Sequence, residues 1–340
     1  MSNQLLWDLK PDQTYASVRV LGQGVYGEVS LAVRKADAQA YYRQEKVPLF
    51  AVKVYKQVSL DDMNREVRIL LESKNDAFCH PNVVCYADHY IGVPSNTYNL
   101  VSYYVSGTRM QELNESPPPQ KLRPIIQSLL EGLMYLHSKN IVHRDIKGDN
   151  VLIMNYETTN PTAVYLDLGL GCQGEADCLA QPRSIEQYKS PEQLEGRNLT
   201  LPEFKSSDVW FLAQAIVYMV TRKNIISTQK LESLGSSIQL LKKRRNLGLT
   251  DPERAKLELN ITQKNFEFKQ ELQEIHKKLV VTGLDGRVYP TQLLASIKDD
   301  VSRNILIEMF QLKWKRRLLP LTGVMLLERE DFKLKKAQTS

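Results

Sequence analysis

Two segments in the first third of the chain have the residue pattern of β-strands. Residues 28–33 alternate polar and apolar positions with a period of two, and residues 50–55 follow as an apolar segment with one charge. Successive side chains of a strand point to opposite faces of a sheet, and β-branched residues such as those found here favour strands. On the second segment, Ala51 and Lys53 therefore share one face, whereas Val52 and Val54 point the other way.

Three later apolar segments predict buried strands. Residues 98–107 form an apolar run that ends in a glycine-containing hinge, residues 151–153 start another strand, and residues 165–169 end in an Asp-x-Gly sequence. Because each run is short, we expect strands in a packed interior rather than long helices.

Other segments place apolar residues at helical spacing. Residues 59–72 carry Asp61 and Asp62 near their start and an apolar stripe formed by Val67, Leu70 and Leu71. A run of prolines at 117–119 predicts a surface turn before a helix over residues 122–138.

A long amphipathic helix is predicted to begin at residues 250–253, where the sequence Thr-Asp-Pro-Glu is typical of a helix start. One face carries an apolar stripe, formed by Leu257, Ile261, Phe268, Leu272, Ile275 and Leu279. We favour packing of this stripe onto the rest of the protein over the alternative, a docking surface for a partner at residues 250–280.

Composition describes a globular protein with a real core, because 42% of the 340 residues are apolar and 25% are charged. This length suits two lobes, or one domain with an insertion. The N-terminus lacks the pattern of a signal peptide, and the longest apolar stretch, residues 210–220, is too short to span a bilayer. We therefore expect a cytoplasmic protein without membrane partners.

Charge and cysteines add little to this picture. The net charge of +6 permits anionic partners without requiring them, and the basic residues 242–245 are interpreted as a solvated face rather than a nuclear address or an anion patch. Four cysteines without a C-x-x-C pair are too few for a disulfide scaffold, so buried or incidental thiols are favoured over a zinc or redox role.

A glycine-rich sequence, G-x-G-x-x-G, spans residues 22–27. In dinucleotide-binding folds the same glycines must open a helix, whereas here they precede the predicted strand 28–33. A loop between two strands, in which backbone N–H groups approach phosphate oxygens, is therefore favoured.

Residues 143–150 (HRDIKGDN) place a carboxylate, an ammonium group and an amide within one short loop. This sequence resembles the catalytic loop of eukaryotic-type protein kinases, H-R-D-x-K-x-x-N. Seven motifs occur in the order of that family between residues 21 and 324, including Ser190-Pro191-Glu192 and the segment 206–210.

The resemblance implies roles for the catalytic residues. Asp145 would be the base, Lys147 would reach the γ-phosphate, and Asn150 and Asp167 would hold Mg²⁺. Lys53 would pair with Glu66, which we prefer over Glu72. Residues with structural roles would be His143, Arg144, Gly169, Glu192, Asp208 and Arg317, the last preferred over Arg316 as the partner of Glu192.

The resemblance also implies an ATP site. Ser102 falls at the gatekeeper position, where its small side chain predicts an open pocket behind the adenine, and residues 103–105 would form the hinge. The implied ATP-binding residues are Leu21, Gly22, Gly24, Gly27, Val29, Ala51, Lys53, Ser102, Tyr103, Val105 and Leu152.

The implied fold is α+β and bilobal, with a small antiparallel-sheet N-lobe carrying one helix and a larger, mainly helical C-lobe. The expected boundaries are an N-terminal extension at 1–14, the N-lobe at 15–103, the C-lobe at 104–335 with a helical insertion at about 225–290, and a tail at 336–340.

The implied activity is that of a serine/threonine protein kinase using ATP and Mg²⁺, since Lys147 belongs to the serine/threonine signature. Two alternatives remain, an ATP-binding pseudokinase or scaffold and a small-molecule kinase. The implied partners are protein substrates, with nucleic acid disfavoured. The unusual C-lobe hints at a viral or intracellular-bacterial kinase, for which the location would be the host cytoplasm, and the nucleus is an alternative location.

The sequence departs from the family at three positions or segments. Leu168 replaces the usual phenylalanine of Asp-Phe-Gly, and Ile185 replaces a threonine. Residues 170–189 contain only two hydroxyl side chains, Ser184 and Tyr188. We therefore expect this loop to be held without phosphorylation, with Glu175, Asp177 or Ser184 facing Arg144.

Overall fold

The structure, a computed structural model, describes residues 7–24, 26–75, 78–180, 190–194, 198–222, 250–282, 288–290, 292–311 and 314–338, with several residues between 233 and 244. The expectations for Ser184, Ile185 and Tyr188, and those for residues 243 and 245, lie outside the described residues. Among the described helices, none is both long and apolar enough to cross a lipid bilayer.

The N-terminal part of the chain folds as a six-stranded sheet with the order β1-β7-β8-β4-β3-β2. The strands in this part of the chain are β1 (Asp8–Pro11), β2 (Tyr15–Gly24), β3 (Gly27–Arg34), β4 (Phe50–Tyr55), the short pair β5 (Lys74–Asn75) and β6 (Phe78–Cys79), β7 (Tyr86–Val93) and β8 (Tyr98–Tyr103). The predicted strands at 28–33 and 50–55 are β3 and β4. Strand β1 pairs in parallel with β7, so the sheet begins before residue 15, where the sequence placed the start of the lobe.

Two helices belong to this part of the chain, α1 (Ala38–Tyr42) and α2 (Leu60–Glu72). Ser59 caps α2, because its side-chain oxygen accepts a hydrogen bond from the Asp62 backbone N–H at 3.2 Å. Helix α2 buries Val67 and Leu70 as predicted, but Leu71 is exposed and Ile69 takes its place in the interior. The predicted apolar stripe was therefore wrong at one position, because the buried face of α2 includes Ile69 and not Leu71.

The rest of the chain is mainly helical. Its described helices are α3 (Pro119–Ser138), α4 (Gly174–Ala180), α5 (Pro191–Leu194), α6 (Leu201–Thr221), α7 (Asp251–Leu279), α8 (Gln292–Ala295), α9 (Asp300–Met309) and α10 (Pro320–Gln338). Its short strands are β9 (Thr108–Arg109), β10 (Ile141–Val142), β11 (Val151–Met154), β12 (Thr162–Tyr165), β13 (Cys172–Gln173), β14 (Val280–Thr282) and β15 (Val288–Pro290). A sheet part followed by a helical part confirms the α+β class.

The core of the helical part lies between α3 and α6. Helix α3 begins at Pro119, three residues before the predicted start, because proline suits the first turn of a helix. Helix α6 begins with a capping box in which Thr200 and Glu203 bind each other's backbone N–H groups. The largest hydrophobic cluster packs α6 against α3, α9 and α10.

Helix α7 is the predicted amphipathic helix. The Glu253 carboxylate accepts hydrogen bonds from the Thr250 backbone N–H at 2.9 Å and from its hydroxyl at 2.6 Å. Leu257, Ile261 and Phe268 are buried, and Phe268 joins the largest cluster. The side chains of Leu272, Ile275 and Leu279 lie outside the described residues. The described part of the stripe packs on the protein, as favoured from the sequence.

The four cysteines form two disulfides, Cys79–Cys85 and Cys172–Cys178. The expectation of incidental thiols was therefore wrong. The partners lie six residues apart in each case, and chain turns bring their Cα atoms to 5.5 and 5.1 Å, within disulfide range. Sequence spacing alone did not reveal these turns.

Candidate active site

Strand β4 and helix α2 bring Lys53 and Glu66 together. The Lys53 ammonium lies 2.7 Å from Glu66 Oε1 and 2.9 Å from Oε2. Glu66 is buried, whereas Glu72, the alternative partner, is exposed at the end of α2. The structure therefore forms the predicted pair with Glu66.

Burial and charge act in opposite directions on this pair. Burial alone would lower the pKa of the Lys53 ammonium, but the carboxylates of Glu66 and Asp167 outweigh it, so the pKa lies above its ordinary value. Burial raises the pKa of the Glu66 carboxyl despite the opposing effects of Lys53 and of the Tyr55 hydroxyl. Lys53 therefore stays charged at neutral pH and supplies a fixed positive charge at the cleft.

The loop at residues 143–150 surrounds one buried carboxylate, that of Asp145. The Lys147 ammonium donates to Asp145 Oδ2 at 2.9 Å, and the Asn150 amide nitrogen donates to the same oxygen at 2.7 Å. Burial raises the pKa of Asp145, and these two partners offset part of the rise. The arrangement fixes the orientation of a carboxylate that can accept a proton.

Asp208, at the buried face of α6, holds the backbone of this loop. Its two carboxylate oxygens accept hydrogen bonds from the backbone N–H groups of His143 and Arg144, each at 2.8 Å. Arg144 has φ of 64°, in the left-handed region that costs energy for a residue with a side chain. The Asp208 contacts offset that strain. His143 is also buried, with its Nε2 atom 3.0 Å from the Leu166 carbonyl oxygen.

The Asp-Leu-Gly turn follows strand β12. Asp167 Oδ1 accepts a hydrogen bond from the Gly169 backbone N–H at 3.1 Å and lies 3.5 Å from the Lys53 ammonium. Burial alone would raise the pKa of Asp167, but Lys53 and the Gly169 N–H outweigh it, so the pKa lies below its ordinary value. Asp167 is therefore ionised at neutral pH.

Leu168 and Gly169 allow the Asp-Leu-Gly turn to pack closely against α2. The Leu168 side chain is fully buried in the cluster that contains Val67 and Leu70 of α2, so leucine fills the place of the usual phenylalanine. A Cβ atom on Gly169 would lie 3.0 Å from Asp167 Oδ1 and 3.2 Å from Glu66 Oε2. Glycine leaves room for both carboxylates.

The glycine-rich hairpin joins β2 and β3, with Gly22 opposite Val29 and Gly24 opposite Gly27. Gly27 has φ of 152°, and a Cβ atom there would overlap the Val54 carbonyl oxygen on β4. Only glycine lets β3 approach β4 this closely.

The predicted adenine-binding residues lie on β2, β3, β4, β8 and β11 and on the hinge after β8. Ala51 and Ser102 are opposite each other on β4 and β8. The Tyr103 backbone N–H donates to the Cys85 carbonyl at 2.9 Å, which fixes the start of the hinge. The remaining predicted residues occupy the described strands and the hinge, Leu21 on β2, Val105 after β8 and Leu152 on β11.

A cleft joins the charged residues of both parts of the chain. Its lining includes Lys53 and Glu66 from the N-terminal part and Asp145, Asp167 and Gly169 from the rest of the chain. The structure thus brings together the ammonium of β4, the carboxylate of the catalytic loop and the carboxylate of the Asp-Leu-Gly turn.

Glu192 and Arg317 form a buried pair distant from this cleft. Arg317 Nη1 lies 2.6 Å from Glu192 Oε1 and Nη2 lies 2.7 Å from Oε2, a bidentate geometry. Arg316 is exposed. Of the two arginines considered, the structure therefore pairs Arg317 with Glu192.

In the described part of the segment after Asp-Leu-Gly, the two candidate acids have partners other than Arg144, and Ser184, the third candidate, lies outside the described residues. The Arg144 side chain donates to the carbonyl oxygens of Leu170 at 2.6 Å and Gly171 at 3.2 Å. Asp177, on α4, lies 3.7 Å from Arg65 of α2. The expected acid is present, but it faces an arginine of α2, because α4 directs Asp177 toward that helix.

Glu175 makes a second link from this segment. Its carboxylate accepts a hydrogen bond from the Leu201 backbone N–H, at the start of α6, at 3.4 Å. This contact was also absent from the sequence-based picture, in which Glu175 was a candidate partner of Arg144.

Tyr55 is a site residue that the sequence analysis missed. Its hydroxyl donates to Glu66 Oε2 at 2.8 Å. The signal was present, because Tyr55 lies two positions after Lys53 and so shares its face of the strand. Arg65 was missed too, since pairing between α2 and a distant loop leaves no local pattern.

Comparison with known proteins gives a consistent family. A family model described as a protein kinase domain matches residues 15–297. The chain is 28% identical over 234 residues to the serine/threonine-protein kinase Nek4 of Mus musculus, which covers 66% of this chain and 27% of that protein. It is 28% identical over 223 residues to mitogen-activated protein kinase kinase kinase 3 of Arabidopsis thaliana, covering 62% and 33%.

A bacterial relative is also similar. The chain is 30% identical over 194 residues to the serine/threonine-protein kinase pkn2 of Myxococcus xanthus, covering 54% of this chain and 22% of that protein. The matches span about a third or less of these relatives' length. Because the family model covers most of the 340 residues and the cleft carries the corresponding charged groups, this chain belongs to the protein kinase domain family.

Proposed function

We propose that this chain is a serine/threonine protein kinase that transfers the γ-phosphoryl group of ATP to protein hydroxyls. The observation that carries the proposal is the buried Asp145 carboxylate, held by Lys147 and Asn150 in the same cleft as Lys53 and Asp167. Phosphoryl transfer needs mainly positioning and charge stabilisation, and these residues can supply both.

Asp145 is the proposed base. Its raised pKa brings it closer to the pKa range in which a carboxylate accepts a proton efficiently near neutral pH. Lys147 orients Asp145, and its ammonium can also neutralise charge on the transferred group.

Asn150 and Asp167 are the proposed magnesium ligands. The Asn150 amide nitrogen is engaged by Asp145, which leaves its oxygen as the donor for a cation. Asp167 supplies an ionised carboxylate. Mg²⁺ usually takes one or two such oxygen ligands and completes its octahedron with phosphates and water, so the residues fit. Held by these two residues, the ion would supply positive charge that stabilises the phosphates.

The nucleotide would lie between the glycine-rich hairpin and strand β11. Gly22, Gly24 and Gly27 let the backbone approach the phosphates, and Lys53 adds an ammonium to them. The proposed adenine contacts come from Leu21, Val29, Ala51, Ser102, Tyr103, Val105 and Leu152.

Specificity for serine and threonine rests on Lys147 and on the relatives. The matched mouse and bacterial proteins are named serine/threonine-protein kinases. We propose protein substrates for the same reason. In the described part of α7 the stripe packs inward, which leaves the outer face of that part, with Leu259 and Phe266 exposed, for a partner.

Location stays a proposal. We keep the cytoplasm, as expected from the sequence. The two disulfides are an argument against a cytoplasmic location, because disulfides persist mainly in oxidising compartments. Cell fractionation, with thiol labelling of each fraction, would separate the two cases.

Two alternatives are weaker. An ATP-binding pseudokinase is disfavoured because Lys53, Glu66, Asp145, Asn150 and Asp167 are all present. A small-molecule kinase is disfavoured by the buried Glu192–Arg317 pair, which belongs to the peptide-binding lobe of protein kinases.

A peptide array tests the proposed function directly. The chain is incubated with labelled ATP, Mg²⁺ and peptides that present serine, threonine or tyrosine as the only acceptor. Label on serine or threonine peptides is the expected result. Label only on tyrosine, or transfer only to small-molecule acceptors, would refute it. ATP binding without any transfer would favour the pseudokinase.

A further inference from the structure

Tyr55 contacts both members of the Lys53–Glu66 pair. It is the last residue of β4 and its side chain is buried. Its hydroxyl donates to Glu66 Oε2 at 2.8 Å, the same oxygen that lies 2.9 Å from the Lys53 ammonium. The Lys53 ammonium also lies 5.1 Å from the centroid of the Tyr55 ring, within the range of a cation–π interaction.

The Lys53 ammonium is shared among several anions. It binds Glu66 and lies 3.5 Å from Asp167, and the proposed function adds phosphate oxygens as further partners. When the Lys53 ammonium binds a phosphate oxygen, it compensates less of the negative charge on Glu66. A buried carboxylate that loses part of its cation is costly unless another donor satisfies it.

Tyr55 is that second donor. Burial raises the pKa of the Tyr55 hydroxyl well above its usual value, so it stays protonated and donates. Its hydrogen bond opposes the rise in the pKa of Glu66 that burial causes. The titratable groups that face Glu66 are Lys53 and Tyr55 from β4 and Asp167 from the Asp-Leu-Gly turn. Of these, Asp167 raises the pKa of Glu66, and the other two lower it.

We infer that Tyr55 is a positioning residue, whose hydroxyl holds the Glu66 carboxylate in place so that Lys53 can bind ATP phosphates. This inference rests on the proposed function, because it assigns Lys53 to the nucleotide. It goes beyond the roles that the family resemblance implies, since that resemblance assigned none to Tyr55.

The first test is Tyr55→Phe, which removes the hydroxyl and keeps the ring. Loss of one hydrogen bond to a charged group should lower kcat/KM for ATP about tenfold. KM for the peptide should stay unchanged. The acid limb of the pH profile of kcat/KM for ATP should move to higher pH, because Glu66 loses a donor that lowers its pKa. A role in fold stability alone would leave that limb in place.

The matched control is Tyr15→Phe. Tyr15 is also buried in the sheet, its hydroxyl donates to a carboxylate, Asp88 Oδ2, at 3.1 Å, and neither residue is among those that line the cleft. This variant should show wild-type kinetics. Thermal melts of both variants report any general loss of fold. Tyr55→Leu, which also removes the ring, should lose more ATP affinity than Tyr55→Phe.

A double-mutant cycle with Glu66→Gln decides the inference. Tyr55→Phe should cost little in the Glu66→Gln background if it acts through Glu66. The cycle is measured on peptide phosphorylation and, separately, on Mg-ATP binding by calorimetry. Wild-type protein that binds ATP but transfers no phosphoryl group would refute the proposed function. In that case the cycle measured on Mg-ATP binding would still test the role of Tyr55. Equal losses in both backgrounds, or no loss at all, would overturn the role of Tyr55.

Discussion

At the scale of single residues, the cleft depends on how each carboxylate is placed. Asp145 and Glu66 are buried and have raised pKa values, whereas the Asp167 pKa is lowered. The difference follows from the balance between burial and partners, because the Gly169 backbone N–H and the Lys53 ammonium outweigh burial at Asp167, whereas burial outweighs the partners of Asp145 and Glu66. The same residue type can thus take two proposed roles, a base at Asp145 and an ionised metal ligand at Asp167.

Lys147 gives a prediction at this scale. Its ammonium and hydrogen bond lower the pKa of Asp145 against the effect of burial. Lys147→Ala should therefore raise that pKa and move the acid limb of kcat to higher pH, because the base must be deprotonated to act. The measurement is kcat against pH at saturating ATP and peptide. A limb that stays in place would show that Asp145 is not the titrating base.

At the scale of elements, the sequence predicted the features whose signal is local. It missed those that depend on contacts between different segments of the chain. Strands β3 and β4 and the start of α7 were predicted because their signals lie within a few consecutive residues. The parallel pairing of β1 with β7 and the link from Asp177 to Arg65 join residues far apart in the chain. Residue periodicity carries no information on such partners.

The segment around α4 gives a prediction at the element scale. Asp177 lies 3.7 Å from Arg65, with its own side chain partly exposed, so the pair should contribute only about 0.2–1 kcal/mol. We expect Asp177→Asn to lower kcat less than about fivefold, and phosphatase-treated wild-type protein to keep most of its activity.

The controls for that prediction are Ser184→Ala, which should be tolerated, and Glu175→Gln, which alters the neighbouring link to α6. Loss of nearly all activity on phosphatase treatment, with recovery when Ser184 is phosphorylated, would return this protein to regulation by loop phosphorylation.

At the scale of the whole molecule, buried pairs tie distant segments together. Glu192 and Arg317 are 125 residues apart in the chain, yet their bidentate contact is almost fully buried and Arg317 lies 5.2 Å from the Trp210 ring centroid. Family resemblance predicted this pair, whereas composition and periodicity could not have. The boundaries of the extension, insertion and tail stay predictions, although α10 continues through residue 338.

Breaking this pair should lower the stability of the molecule. Arg317→Ala leaves the Glu192 charge buried without its cation, a loss of about 3–5 kcal/mol. The measurement is the free energy of unfolding from denaturant titration. Arg316→Ala, at the exposed neighbour, should change it by less than about 0.5 kcal/mol. Similar stability of the two variants would mean that the pair does not stabilise the helical part.

The central claim is that Asp145 is the base and Asp167 is a metal ligand in the same cleft. Two variants test it together. Asp145→Asn should lower phosphoryl transfer at least about a hundredfold and leave Mg-ATP affinity close to wild type, because it removes the base alone. Asp167→Asn should weaken Mg²⁺-dependent ATP binding, because it removes the ionised ligand. Turnover and Mg-ATP binding are measured on both variants. Asp145→Asn turnover within tenfold of wild type, or unchanged Mg-ATP affinity in Asp167→Asn, would contradict the account.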